Sequence, residues 1–325
     1  MYMAKIEEPV TLLVSDNVWA RHRDAIRSIS PGVTPVIYEG NEVLPDEIIS
    51  TINTVFYSSD LWPDRSRGFA LSIMKAASLK WMHTFSAGVD SPFFIDLIKK
   101  GVTLTNSSGA AASPIAQTAI LYMLALSRNV RAWFEHQDNK EWQRHEFTEL
   151  DGSRLAVIGM GPIGEEIARL GVALNMQVEA IRRSPTGNEP CPTFSFDHLS
   201  DVLGRADWVA LALPLTPDTQ NLFDQQQFAH MKPGAHFINV GRGELVDETA
   251  LIQALNSQHL AGAALDVFAT EPLPEDSPLW SMRNVLITPH SSGATTQSGL
   301  RAEEIFVRNF ALFVQNEQMH NVVTI

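Results

Sequence analysis

A chain of 325 residues has the length of two ordinary domains, and with 45% hydrophobic and 19% charged residues it holds ample material for buried cores, which excludes wholesale disorder. The formal net charge of −13 repels phosphate backbones and anionic lipid, so neither nucleic acid nor a membrane is an expected partner. A single cysteine, Cys191, excludes an internal disulfide and a cysteine-based zinc site, and fits a reducing compartment.

The N-terminal MYMAKIEEPVTLLVSD puts two glutamates ahead of its apolar run and lacks the basic start of a secretory signal, so a cytoplasmic location is expected. The longest apolar runs, 119–126 and 208–215, fall far short of the roughly 20 residues of a membrane span. Strands are predicted at 10–15, 33–38, 54–58, 81–85 and 102–106, with segments of helical spacing between them. Continuous apolar strands alternating with helices imply a parallel sheet covered on both faces. Residues 113–130 then predict one long apolar helix at a domain junction, capped by Ser113 and with Pro114 at its first position. The stretch 131–150 is polar but carries Trp133, Phe134, Trp142 and Phe147, which suggests a subunit contact. Alternation resumes with strands at 155–159, 177–181, 207–213, 235–240, 262–267 and 284–289, a second α/β domain. Residues 298–318 read as a last helix, followed by the apolar tail VVTI.

Gly159, Gly161 and Gly164 form G-x-G-x-x-G directly after the 155–159 strand. The first glycine permits a tight turn, the second lets the backbone approach a pyrophosphate, and the third lets the helix pack close to the sheet. Pro162 opens that helix, whose Ile163, Ile167, Leu170 and Leu174 recur at helical spacing and are expected to face the sheet. An NAD site usually places an acidic residue at the end of the next strand; here the sequence reads Arg182-Arg183-Ser184, donors suited to a 2′-phosphate. NADP(H) is therefore the expected preferred cofactor, with NAD(H) also accepted. Three further polar residues, Arg242, Glu271 and His290, each follow an apolar strand, where ligands of open α/β sheets collect.

With these motifs in order, the fingerprint, N-V-G-R-G, D-V-F-x-x-E-P and T-P-H-x-x-x-A-T, the sequence resembles the D-isomer-specific 2-hydroxyacid dehydrogenases from residue 86 to the C-terminal helix. The resemblance implies His290 as acid/base, Glu271 as its carboxylate partner, and Arg242 as the clamp on the substrate's carboxylate and carbonyl. It implies that Asp266 orients the nicotinamide amide, and that backbone at Ala87 and Gly88 also binds the carboxylate. The cofactor side is filled out by Met160, Pro162, Ile163, Pro214, Thr219, Val240, Gly241, Arg242, His290 and Gly293. The residue types suit the chemistry: reduction of a 2-oxo acid needs a hydride at carbon and a proton at oxygen, and an imidazolium steadied by a carboxylate supplies the proton. Ser108, Ala112 and Gln117 depart from the common family pattern, and the arginine turn looks like the NADP-using glyoxylate/hydroxypyruvate reductase branch.

The resulting expectation is two Rossmann-like domains of doubly wound parallel sheet with an active-site cleft between them. Residues 1–108 with 296–325 form a discontinuous substrate-binding domain, and 109–295 bind the dinucleotide. The expected enzyme is a homodimer that reduces a small 2-oxo acid, glyoxylate or hydroxypyruvate in type or bulkier, and needs no metal. A catalytically silent dinucleotide sensor on the same scaffold is the alternative, disfavoured by the intact Arg242, Glu271 and His290. Relatives acting on formate pair their histidine with glutamine, against Glu271 here, and the absence of an added regulatory domain lends less support to the serine-biosynthetic type. Signatures of serine hydrolases, zincins and P-loop enzymes are missing.

Overall fold

Side chains on successive strand residues point to opposite faces, so a strand apolar throughout needs a cover on each side. A computed structural model describes residues 9–324; residues 1–8, the start of the segment weighed above as a leader, and Ile325 of the tail lie outside them. The chain runs through β1 (Thr11–Ser15), α1 (Asp16–Ile29), β2 (Thr34–Tyr38), α2 (Asp46–Ile49), β3 (Thr54–Tyr57), α3 (Ser66–Lys75), β4 (Trp81–Thr84), α4 (Pro92–Lys99) and β5 (Thr103–Asn106). There follow α5 (Ala112–Ser127), α6 (Val130–Asn139), β6 (Arg154–Ile158), α7 (Pro162–Ala173), β7 (Gln177–Ile181), β8 (Thr193–Phe194), α8 (Leu199–Leu203) and β9 (Trp208–Leu211). The rest is α9 (Gln225–His230), β10 (Ala235–Asn239), α10 (Glu248–Asn256), β11 (Leu260–Leu265), β12 (Val285–Ile287) and α11 (Thr296–Val314). It divides into two compact units, Met1–Ala110 with Thr295–Ile325, and Ala111–Ala294.

The first unit holds a parallel five-stranded sheet in the order β2-β1-β3-β4-β5. Leu12, Val14, Phe56 and Trp81 pack on one face with Val18 and Ile26 of α1 and Phe306 and Phe310 of α11. Leu13, Val55, Met82 and Leu104 pack on the other with Phe69, Ile73, Phe94 and Leu97 of α3 and α4. Phe306 stacks on Phe56 with ring centroids 4.4 Å apart, and the buried Glu303 takes a forked pair of bonds from Arg21 at 2.8 and 2.5 Å, so the C-terminal helix is built into this unit.

The second unit is a parallel seven-stranded sheet, β12-β11-β10-β9-β6-β7-β8. Leu155, Val157, Trp208, Ala210 and Ile238 meet α5 and α7 on one face, while Ile158, Val209, Leu211 and Phe237 meet α8, α9 and α10 on the other. The chain leaves β6 toward β7 and returns on its other side at β9, which makes the carboxyl ends of β6 and β9 a switch point where such sheets bind ligands.

Several local expectations are corrected. Helix α5 starts at Ala112 behind Ala111, which makes no side-chain cap, so Ser113 lies inside the helix and Pro114 at its third residue. The expected helix to residue 130 is two helices, because Asn129 takes a left-handed φ of 49° and breaks the run. On α7 Ile167 is buried and Ile163 and Leu170 pack half-buried on the same core, as expected, but Leu174 is exposed and the rest of the seam is Gly164, Ala168 and Gly171, small residues that let the helix lie close to the sheet. The two-residue β8, preceded by Pro190 and Pro192, gave no periodic signal. Among the described residues no helix is long and apolar enough to cross a membrane.

Candidate active site

The glycine turn lies at the switch point. Gly159 has φ of 105°, and a Cβ there would meet Ala212 O at 2.7 Å, so only glycine fits. A Cβ on Gly164 would fall 1.8 Å from Gly159 O, so its missing side chain is what lets α7 start against the strand end. Gly161 differs: a Cβ there would meet nothing within 4 Å. Its position faces open space at the N-terminus of α7, where N–H groups and the helix dipole suit a diphosphate. Pro162 is exposed, Ile163 half-buried and Met160 buried beneath the turn. These residues fit a dinucleotide.

Along the same sheet edge, Thr219 is buried and its hydroxyl, which donates to Pro214 O at 2.8 Å and accepts from Thr216 N at 2.8 Å, shapes the loop after β9. Val240 is buried; Gly241 donates to Asn239 Oδ1 at 3.0 Å, and its Cβ would press on Leu213 O at 2.9 Å. Gly293 packs toward Ala111 and Ile115, so α5 uses its small size.

Strands β10, β11 and β12 are neighbours, and Arg242, Asp266 and His290 follow their respective carboxyl ends. Arg242 donates to Gly241 O at 2.8 Å, and its own carbonyl accepts from Asn239 Nδ2 at 2.9 Å. His290 Nδ1 lies 2.8 Å from Glu271 Oε2, while Glu271 Oε1 accepts from Phe268 N at 3.0 Å. The histidine side chain is 48% exposed, and with Nδ1 engaged its Nε2 is the nitrogen left to meet a ligand. His290 adopts φ of 49°, held by bonds from its N–H to Asp266 O at 2.8 Å and Thr288 O at 3.1 Å.

Asp266 has a second set of partners that the sequence reading missed. Its carboxylate accepts from Thr288 Oγ1 at 2.5 Å, Ser291 N at 2.9 Å, Ser292 N at 3.1 Å and the Ser292 hydroxyl, and it is 1% exposed. Thr288 is bonded in turn to the hydroxyl of Tyr122 on α5, which burial pushes up to about 12. Asp266 therefore ties down the loop that carries His290.

Beyond β7, Arg182 pairs with Glu189 at 2.8 Å and Arg183 with Asp218 at 3.1 Å, while Ser184 is exposed. In the first unit, Ala87 and Gly88 form the turn after β4. Their carbonyls accept from Asn106 Nδ2 at 2.7 Å and Ser86 Oγ at 2.8 Å, respectively. Asn106, Asn239 and Glu189 organise these loops; an amide at the end of an apolar strand was the only sequence signal for the first two. Among the described residues no group of three or more His, Cys, Asp or Glu side chains could hold a metal ion.

The family model for D-isomer specific 2-hydroxyacid dehydrogenase, NAD binding domain, matches residues 120–292. The chain is 37% identical over 258 residues to glyoxylate/hydroxypyruvate reductase B of Escherichia fergusonii, covering 77% of this chain and 79% of that one. It is 34% identical over 257 residues to D-3-phosphoglycerate dehydrogenase of Methanocaldococcus jannaschii, spanning 77% of this chain but 48% of that protein. Among solved structures, the NADPH-dependent glyoxylate/hydroxypyruvate reductase of Sinorhizobium meliloti, in complex with NADP and sulfate, superposes with a TM-score of 0.76 at 26% identity, covering 98% of each chain. With two parallel α/β sheets, a glycine turn at the switch point and a His–Glu pair beyond adjacent strands, the chain belongs to the D-isomer specific 2-hydroxyacid dehydrogenases.

Proposed function

We propose that this enzyme reduces a 2-oxo acid, glyoxylate or hydroxypyruvate in type or bulkier, to the D-2-hydroxy acid, with NADPH preferred over NADH. The His290–Glu271 pair carries the reading: a ring held by a carboxylate 2.8 Å from Nδ1 can give a proton from Nε2 to the substrate's carbonyl oxygen. Arg242 grips the carboxylate in a fork and steadies charge developing on the neighbouring oxygen. Backbone N–H groups at Ala87 and Gly88 are carboxylate donors in the same proposal. A reduced nicotinamide, when bound, supplies the hydride. Gly159 to Gly164, Pro214, Thr219, Val240, Gly241 and Gly293 hold the dinucleotide, with Asp266 acting through the 288–292 loop it ties down, so that the unit of residues 111–294 is the cofactor domain and the other unit the substrate domain.

Arg182, Arg183 and Ser184 support the NADPH preference, and the acids described near them are each met by an arginine, Asp218 by Arg183. Glu179 on β7 is held by Arg205 at 2.6 and 2.9 Å, and Glu189 by Arg182. The NADP in the Sinorhizobium relative agrees with it. A homodimer and a cytoplasmic location belong to the same reading; Trp142, 97% exposed, and the exposed Phe134 offer the contact surface.

Initial rates of NADPH and NADH oxidation with glyoxylate, hydroxypyruvate and phenylpyruvate test the proposal, beside His290→Ala and a paired Arg182→Ala, Arg183→Ala variant. Turnover is expected with NADPH, lost by about 10²–10⁴-fold in the histidine variant, and shifted toward NADH in the arginine variant. Dinucleotide binding without turnover on any 2-oxo acid would instead favour the silent sensor.

A further inference from the structure

Glu189 is the one carboxylate in the loop joining β7 to β8, and its side chain is 3% exposed although its neighbours are open to solvent. Its Oε1 accepts from Arg182 Nη1 at 2.8 Å, Thr186 N at 2.7 Å and Thr186 Oγ1 at 2.9 Å; its Oε2 accepts from Gly187 N at 2.8 Å. Gly187 takes φ of 80°, which lets the loop curl round the carboxylate, and the base of the loop is fixed where Arg182 N donates to Phe194 O at 3.0 Å. The backbone bond from Thr186 above all, with those from Thr186 Oγ1 and Arg182, holds the Glu189 carboxyl down at about 2, so it is ionised at any working pH. The second arginine is held differently: Arg183 and Asp218, 74% and 79% exposed, meet as a loose surface pair that an incoming anion can displace.

We propose that Glu189 is a positioning residue for dinucleotide selectivity: it fixes Arg182 so that the rest of its guanidinium is presented to a 2′-phosphate, on which Arg183 then closes. This rests on the NADPH reading above. The physical reason is preorganisation. A flexible arginine must give up rotamer freedom to grip a phosphate, whereas one already held by a carboxylate on one edge loses little more when the other edge is filled. Because Glu189 is also satisfied by two backbone N–H groups and a hydroxyl, it tolerates sharing Arg182 with a second anion.

The test is calorimetric titration of the full-length protein with adenosine 2′,5′-bisphosphate and with 5′-AMP. It uses the wild type, Glu189→Gln, Arg182→Ala and the double variant, each with its melting temperature. Wild type should bind the bisphosphate more tightly, and Glu189→Gln should cut that preference by about tenfold, with little change for 5′-AMP. In the Arg182→Ala background Glu189→Gln should have no further effect, since it acts through that side chain. Should Glu189→Gln fold poorly, Thr186→Ala, which removes one donor to the carboxylate, should move the preference the same way by a smaller factor. A wild type without preference for the bisphosphate overturns the NADPH reading and this inference together. A wild-type preference that survives unchanged in folded Glu189→Gln, or a Glu189→Gln effect that persists without Arg182, overturns the inference alone.

Discussion

His290 sits in a left-handed backbone conformation that a non-glycine residue adopts only when its surroundings enforce it. The enforcement is visible: its N–H is bonded to two carbonyls, its ring to Glu271, and the residues after it to the buried Asp266. This separates two kinds of contribution. Glu271 touches the ring, so Glu271→Gln should lower kcat less than His290→Ala while leaving dinucleotide affinity near wild type; equal losses in kcat for the two variants would contradict a supporting role for the carboxylate. Residues such as Arg242, Glu271 and His290 were legible in the sequence because each follows an apolar strand within a specific motif. The work of Asp266 on the 288–292 loop was not, because its partners Ser291, Ser292 and Thr288 carry no pattern of their own and come to it only through strand neighbours.

At the scale of elements, the turn from β6 into α7 uses its glycines for different reasons, and substitution can tell them apart. Gly161→Ala has room and an ordinary backbone conformation, so melting temperature should hold while dinucleotide affinity falls about tenfold or more, as the methyl enters the space the diphosphate would occupy. Gly164→Ala drives a methyl into Gly159 O and should cost about 1–3 kcal/mol of stability or more, lowering the melting temperature as well as binding. Circular dichroism melts with dinucleotide titration check both; a Gly164→Ala protein as stable as wild type would refute the close-approach account. The same crowding explains why the α7 seam includes small residues that apolar spacing did not name. Periodicity counts large residues, whereas Gly164, Ala168 and Gly171 are buried because they are small. Helix α5 likewise ended early because a left-handed Asn129 interrupts a run whose composition alone would have continued.

Across the whole molecule each unit keeps a histidine neutral within its packing. His83 is buried between the hydroxyls of Thr105 at 2.7 Å and Ser107 at 3.0 Å, and burial pushes it down to about 3; His236, stacked on Trp208 at 4.2 Å, is pushed down by burial to about 4. Both folded values lie below the unfolded one, so the unfolded chain binds the extra protons. Their stabilisation is complete above roughly pH 6.5 and declines as pH falls toward 4, by up to about 1.4 kcal/mol per pH unit for each histidine. Melting temperature should therefore drop between pH 6.5 and 4.5, before most carboxylates titrate, and His83→Gln should flatten that slope; a flat wild-type profile would show that neither ring is held neutral. What the sequence by itself determined was the alternation of strands with helices in two parallel α/β domains, and the family. Strand burial, glycine spacing and residues at strand ends are written locally. What only the tertiary structure decided was who meets whom: the bonds from the loop carrying His290 to Asp266, the exposure of Trp142, and the pairing of Arg182 with the enclosed Glu189. Those contacts depend on backbone turns and sheet neighbours that bring together residues whose positions along the chain carry no periodic sign of their meeting.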